Sequence, residues 1–419
     1  MLNRHVVPAL TTLSENTYMS AIRAGMVAVV PLTIIGGLFM IVAYLPVPGW
    51  EARVARYLPL LQIPVKATFG LLAVVACFSI AHDLGKRLNQ DPVVSATIAL
   101  VIFLMLQINA AEPDLVFEKE SLGSRGLFTA ILVALICVRV QKLFTDWNLV
   151  IRMPASVPAI VYESFLSLVP LFFLVVVFWL IRFALGVDIN HLVQRAFSPL
   201  VFALNTLPGI LVYAFLVTML WSVGINGDNA LDAIVAPIFL QYLAANVDAM
   251  AHGQPLPYVT ANGFFSTFVN VGGTGATLAL ALVLWNSKEP GFRKVARLSL
   301  PTQIFQINEP IFFGLPIVLN PVLMIPYILS ALVLTTGTYL LMQFGIIQRP
   351  FVNVPWTTPP IIGHYLVSGG DWRAAAWGAI SIVLGMTIYF PFARAAERQR
   401  LIAELQTQAA EEEPSNAAI

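Results

Sequence analysis

The sequence predicts a polytopic α-helical membrane protein, on three observations. Of its 419 residues, 58% are hydrophobic and only 11% are charged, against about a quarter in ordinary soluble domains. The mean hydropathy is +0.82. Apolar runs of about 20 residues, the length that crosses a bilayer as a helix, recur along the chain. A soluble protein of this composition would lack the polar surface to cover its core, whereas a bilayer solvates an apolar exterior. The net charge of +1 gives no sign of a nucleic-acid or other polyanionic partner.

The first half predicts regular spans at Gly25–Leu45, Lys66–Leu84, Val93–Asn109, Gly126–Phe144 and Phe165–Gly186. The start is polar (Asn3, Arg4, His5), and no small-residue cleavage site follows the first apolar run, so that run reads as a span rather than a signal peptide. Asp188–Leu204 carries Asp188, His191, Gln194 and Arg195 among apolar residues, the pattern of an amphipathic helix lying at the interface. Cys77 and Cys137 sit inside apolar runs without a CxxC spacing or a nearby His, and read as small core residues.

The second half is irregular. Apolar runs lie at Pro208–Gly224, Ala261–Trp285, Pro301–Phe344 and Ala374–Phe392, and several are broken by Gly, Pro, Asn or charge. Polar, non-helical backbone at membrane depth is tolerated only inside protein or against a water-filled cavity. Interrupted helices gathered in one half point to a transporter's binding site. The reading is therefore a regular N-terminal scaffold followed by a C-terminal half with re-entrant segments.

Charge orients the chain. Arg4 and Arg23, then Lys86 and Arg87, then Lys142 and Arg152 mark one side, and the acidic loop 110–123 marks the other. This alternation predicts a cytoplasmic N-terminus, although Arg53, Arg56 and Lys66 run against it. Lys288–Arg297 and Arg394–Arg400 form further basic clusters, read as cytoplasmic. The tail beyond Arg394 reads as a charged helix fading out at Glu411–Pro414.

Four segments are candidates for chemistry. Glu309 lies in an apolar run that reads IFQINEPIFFGLP from Ile304. Burying a carboxylate in hydrocarbon is costly, so Glu309 is expected to face the protein interior. There it either accepts hydrogen bonds from a sugar's hydroxyls and activates one, or caps buried backbone. Pro310 suits a first helical turn, and Asn308 could cap that turn. Asn226, between Gly224 and Gly227, is followed by Asp228 and Asn229; it offers a polar turn or a binding loop. Asn270 leads into Gly272-Gly273-Thr274-Gly275, which reads either as close helix packing or as a hairpin tip. Asn353–Pro360 offers Asn353 and Thr357 for hydroxyls and Trp356 for a sugar's apolar face, or an interfacial anchor. Asp83 and Glu163, at span edges, read as caps or cytoplasmic contacts. The five His residues show no metal spacing, and there is no Ser-His-Asp, P-loop or zinc pattern. Neither a metal nor another cofactor is expected.

These runs resemble one family, the membrane-embedded enzyme IIC permeases of the phosphoenolpyruvate:sugar phosphotransferase system, lactose/cellobiose/diacetylchitobiose type. The likeness is carried by IFQINEPIFFGLPIVLNP (Ile304–Pro321), by Met153–Pro158 within IRMPASVPAIVYESF, and by LGSRGLFTAILVA (Leu122–Ala134). GGTGATL (Gly272–Leu278) and VPWTTP (Val354–Pro359) are similar too. It spans Pro8 to Ala393.

The resemblance implies about ten helices with two re-entrant hairpins, working as a homodimer in the bacterial inner membrane with both termini cytoplasmic. It implies a permease domain over 8–393. Residues 8–205 would form a dimerisation scaffold, 206–393 would carry a β-linked disaccharide by an elevator-like motion, and 394–419 would be a tail. Glu309 and Asn308 would contact the sugar near its phosphoryl-accepting end, Trp356 and Thr357 would line the pocket, and Asn270 and Gly272 would lie near a hairpin tip. No catalytic phosphocysteine or phosphohistidine domain is recognised in the chain, so phosphorylation is expected to need separate enzyme IIB and IIA proteins, with Lys288–Arg297 a docking surface.

One position departs from the pattern. Where the family has Gly-Ile-His-Gly, this chain has Gly224-Ile225-Asn226-Gly227. An amide binds a hydroxyl but does not titrate near neutral pH. Two functions follow: a sugar permease that presents its cargo for phosphorylation, or a phosphorylation-incompetent membrane sensor or facilitator.

Overall fold

The computed structural model describes residues 16–44, 49–110, 114–151, 159–315, 317–318 and 320–416. The family-like run Met153–Pro158 lies outside the described residues, as does the side chain of Glu163. The principal helices are α1 (Thr17–Ala43), α2 (Leu58–Phe69), α3 (Leu72–Arg87), α4 (Pro92–Leu106), α5 (Leu127–Asp146), α6 (Ala159–Trp179), α7 (Ile189–Leu204) and α8 (Leu207–Ser222). They continue as α9 (Gly227–Ala251), α10 (Thr277–Leu284), α11 (Pro290–Ile304), α12 (Glu309–Gly314), α13 (Pro321–Gln343), α14 (Pro360–Val367) and α15 (Trp372–Asn416). Among the described residues β-pairing is limited to a single bridge between Ile108 and Phe117. The protein is an all-α, multi-pass membrane protein: seven of its described helical segments are long and apolar enough to cross a bilayer.

The chain divides into two compact units. The first holds residues 1–203, 228–261 and 351–353; the second holds 204–227, 262–350 and 354–419. The segment 228–261, which the sequence reading counted with the C-terminal half, clusters with the first unit. Its helix α9 is a 25-residue span that the sequence reading missed, because Asp228, Asn229, Asp232, Asn246 and Asp248 dilute its apolar pattern. Tertiary partners absorb part of that polarity. Buried Asn246 receives the Tyr258 N–H at 2.9 Å and donates to the Tyr258 carbonyl at 2.8 Å, and Arg23 donates to the Asn229 carbonyl at 2.7 Å.

Within the first unit the helix starts follow capping chemistry. Asn16 accepts the Tyr18 N–H at 2.9 Å to begin α1, and Asp91 accepts the Val94 N–H at 2.7 Å to begin α4, ahead of Pro92. α1 and α3 meet closely at Gly25, where a Cβ would lie 2.2 Å from Ile80; small residues permit such approach in membranes. The second expected span is longer than predicted, running over Leu58–Arg87 with a break at Gly70 and Leu71. Asp83 pairs with Arg87 one turn on. Cys77 and Cys137 are buried free thiols. α7 buries Ile189, Asn190 and Val193 and exposes the large apolar side chains Leu192, Phe197 and Phe202.

The second unit is built on α13 and α15, which pack along each other and carry the fully buried Tyr327 and Tyr389. The apolar runs 261–285 and 301–344 are broken, the first into a π-helical turn at Phe264–Val269 and the eight-residue α10, the second into the end of α11, α12 of only 6 residues and α13, which at 23 residues is long enough to span. α15 continues without interruption to Asn416, beyond where the tail was expected to fade, as its Ala-, Glu- and Gln-rich composition favours.

Candidate functional site

All seven candidate residues, Asn226, Asn270, Gly272, Asn308, Glu309, Trp356 and Thr357, fall in the second unit. Its centre is the glycine-rich turn after the π-helical segment. Gly272, Gly273 and Gly275 take φ of +80°, +102° and +78°, and Ala276 takes +56°. This left-handed region is open to Gly and costs other residues about 1–2 kcal/mol. The chain thereby folds back, so that a Cβ on Gly272 would lie 2.2 Å from Leu278. The sequence left open close helix packing or a hairpin tip; the backbone here forms a tight turn.

Side chains from the Asn-Glu-Pro segment hold the turn. Gln306, 5% exposed, accepts the Gly272 N–H at 2.6 Å and the Gly273 N–H at 3.2 Å. Asn308, 3% exposed, donates to the Thr274 carbonyl at 3.0 Å. It stands at the start of α12 but makes no side-chain cap there, contrary to expectation, because its amide is engaged by the turn. Further back, the Thr277 hydroxyl donates to the Gly272 carbonyl at 3.0 Å. Tyr389 donates to the Gly275 carbonyl at 2.6 Å, while the Tyr327 ring leaves no room for a Cβ on Gly275. Asn270, buried at the turn's entrance, accepts the Gly273 N–H through its carbonyl at 3.1 Å. Asn270, Gly272 and Asn308 thus belong to one buried knot.

Glu309 does not face the interior as expected; it is exposed. α12 begins on it, and the preceding Asn308 is the residue that turns inward. Among the described residues its carboxylate has no hydrogen-bond or ion-pair partner, so it is available to a ligand. Pro310 occupies the first turn as predicted.

Aromatic packing ties the remaining segments to this centre. Trp221, near the end of α8, meets Phe312 edge-on at 5.1 Å, and a Cβ on Gly224 would lie 3.8 Å from Val318. These contacts set the Gly224–Gly227 turn beside the segment that carries Glu309. Asn226, half-buried, directly precedes α9. On the other flank, Phe268 meets the buried His364 of α14 at 4.5 Å, and Gly363 lies against the Thr267 methyl. α14 follows the Val354–Pro359 loop, which is braced by Thr358 donating its N–H and its hydroxyl to the Pro355 carbonyl at 2.9 and 2.7 Å. In that loop Trp356 is 59% exposed and Thr357 is half-buried. Asn353 is used elsewhere: it donates to the Thr33 hydroxyl at 2.6 Å in the first unit.

Sequence reasoning assigned no role to Gln306, Tyr389 or Trp221. Gln306 carried a usable signal, an amide two residues before Asn308 with apolar residues on either side. Tyr389 sits in an unremarkable apolar helix and carried none.

Interrupted helices around a knotted polar turn are features of a membrane transporter. The chain belongs to the phosphotransferase system EIIC family, whose description matches residues 23–331. It is 34% identical over 429 residues to the cellobiose-specific EIIC component of Geobacillus stearothermophilus, covering 96% of this chain and 95% of that one. It is 33% identical over 424 residues to the lichenan permease IIC component of Bacillus subtilis (strain 168), covering 96% and 94%. It is also similar to the crystal structure of the transporter ChbC, the IIC component of the N,N'-diacetylchitobiose-specific phosphotransferase system. That likeness has a TM-score of 0.89 at 33% identity and covers 96% of this chain and 99% of that one. The chain is therefore a phosphotransferase-system sugar permease. The alternative of a phosphorylation-incompetent sensor or facilitator finds no support among these relatives.

Proposed function

We propose that this permease carries a β-linked disaccharide of the cellobiose, diacetylchitobiose or lactose kind across the bacterial inner membrane and presents its 6-hydroxyl to a phosphorylated enzyme IIB. The observation that carries the reading is Glu309: an exposed carboxylate, unpartnered among the described residues, at the start of α12 and one residue from an Asn locked onto the glycine-rich turn. Relatives named for cellobiose and for N,N'-diacetylchitobiose support the β-linked class.

Glu309 would accept the hydroxyl proton as the sugar's O6–P bond forms and the S–P bond of the IIB phosphocysteine breaks. Asn226 would hold a hydroxyl without titrating. Trp356 would stack on the sugar's apolar face, with Thr357 beside it. Asn308, Asn270 and Gly272 would shape the pocket wall. Residues 8–205 would form the scaffold of a homodimer, and 206–393 the part that moves the sugar. Both termini would be cytoplasmic, where Lys288, Lys294 and Arg297, all exposed, would receive IIB, itself recharged by IIA.

Membrane vesicles holding the protein, supplied with IIA, IIB and phosphoenolpyruvate, test this directly. They should form sugar phosphate from a β-linked disaccharide and not from its α-linked counterpart. Equal turnover of both linkages, or of neither, would overturn the assignment.

A further inference from the structure

Helix α11 closes in a way that its local sequence does not favour. The Ile307 N–H reaches the Thr302 carbonyl at 3.0 Å and the Gln306 N–H reaches the Gln303 carbonyl at 3.0 Å. This is the Schellman ending, whose left-handed residue is usually Gly. Here the left-handed position is Gln306, with φ of +68°. A residue with a Cβ in that region is strained, and such strain persists only where the surroundings over-determine it.

The compensation is visible in the side chain. The Gln306 oxygen sits between the consecutive N–H groups of Gly272 and Gly273, at 2.6 and 3.2 Å. Two successive N–H groups aimed at one point form a nest for an electron-rich atom. Gln306 fills it from 33–34 residues away in sequence. Two residues later Asn308 grips the Thr274 carbonyl of the same turn, and the next residue is the exposed Glu309. The strained helix end thus supplies one of the two grips that hold the glycine-rich turn in register with Glu309.

We infer that Gln306 is a positioning residue for sugar phosphorylation: its side-chain oxygen fixes the Gly272–Gly273 backbone relative to Asn308 and Glu309. It touches no sugar and acts through the turn. The inference rests on the reading of Glu309 as part of the sugar site.

Two substitutions separate this role from a merely structural one. Gln306→Gly suits the left-handed backbone better than the native residue and removes only the grip. Gln306→Glu keeps an acceptor in the nest. In vesicles supplied with IIA and IIB, Gln306→Gly should raise the sugar KM about tenfold, the scale of losing one or two hydrogen bonds. The KM for phosphorylated IIB should not change, and Gln306→Glu should stay within about threefold of the native sugar KM. Amide hydrogen exchange across residues 270–276 in detergent should accelerate about tenfold in Gln306→Gly and not in Gln306→Glu. A native sugar KM in Gln306→Gly, or equal impairment of the two variants, would overturn the inference. If the native protein phosphorylates no sugar, the reading of the site fails. The exchange measurement then decides alone: unchanged exchange in Gln306→Gly refutes the grip.

Discussion

A Cβ placed on Gly273 would lie 2.5 Å from the Cβ of Asn308. The glycine-rich turn and the Asn-Glu-Pro segment are therefore in contact with no atom to spare. Gly273→Ala would force Asn308 off the Thr274 carbonyl and place a side chain at φ of +102°. We expect a loss of roughly 2 kcal/mol or more, together with loss of sugar binding. Thermal unfolding in detergent and equilibrium binding of the disaccharide check the two parts separately.

Tyr389→Phe removes the hydroxyl that donates to the Gly275 carbonyl at 2.6 Å. A buried carbonyl left without its donor costs about 1–3 kcal/mol. The melting temperature should fall by a few degrees, with the sugar KM rising in parallel. An unchanged melting temperature would show that the turn does not depend on this bond.

Glu309→Gln should behave in the opposite way. The side chain is exposed and unpartnered among the described residues, so its loss should change stability by no more than about 0.5 kcal/mol. Sugar phosphate formation should fall about a hundredfold or more, as for loss of a general base. Normal phosphorylation by a stably folded Glu309→Gln protein would remove Glu309 from the mechanism.

Asn226→His tests the departure from the family pattern. An imidazole titrates with an unperturbed pKa of about 6.5, whereas the native amide does not titrate. The substitution should introduce a new limb into the pH–rate profile between about pH 6 and 7, and the native protein should lack it. A profile identical in both proteins would show that position 226 takes no part in proton handling.

Asp371 provides a pH-dependent element of stability outside the spanning segments. Partial burial would raise its carboxyl. Hydrogen bonds from Arg373 and from the Gln348 N–H, with the Arg373 charge, outweigh that and hold it below its ordinary 3.8. A carboxyl depressed in the folded state contributes stability that is present above its unfolded pKa and is lost as pH falls through the folded value. Asp371→Asn should therefore lower the melting temperature at pH 7, and the difference from the native protein should shrink as pH drops below about 4. A difference constant across that range would show that charge is not the cause.

Much of the plan was legible because membrane solvation acts on composition. Apolar runs near the bilayer thickness marked α1, α3, α5 and α6 without reference to any partner. The breaks at Gly224–Gly227, Gly272–Gly275 and Asn308–Pro310 were legible because Gly and Pro restrict or release backbone locally. α9 was not legible. Its polar residues dilute the apolar run, and the pairing of Asn246 with Tyr258 and of Arg23 with the Asn229 carbonyl is invisible to hydropathy.

The same division holds at the site. The sequence by itself singled out Glu309 as a candidate, since an ionisable group amid apolar residues needs a reason to persist. It could not determine which way the segment faces. That was decided by tertiary structure: Asn308 turns inward to Thr274, Gln306 fills the N–H nest of Gly272 and Gly273, and Glu309 is left outside. Hydrogen bonds between groups more than 30 residues apart depend on the folded path of both chain segments, and no local pattern encodes their geometry.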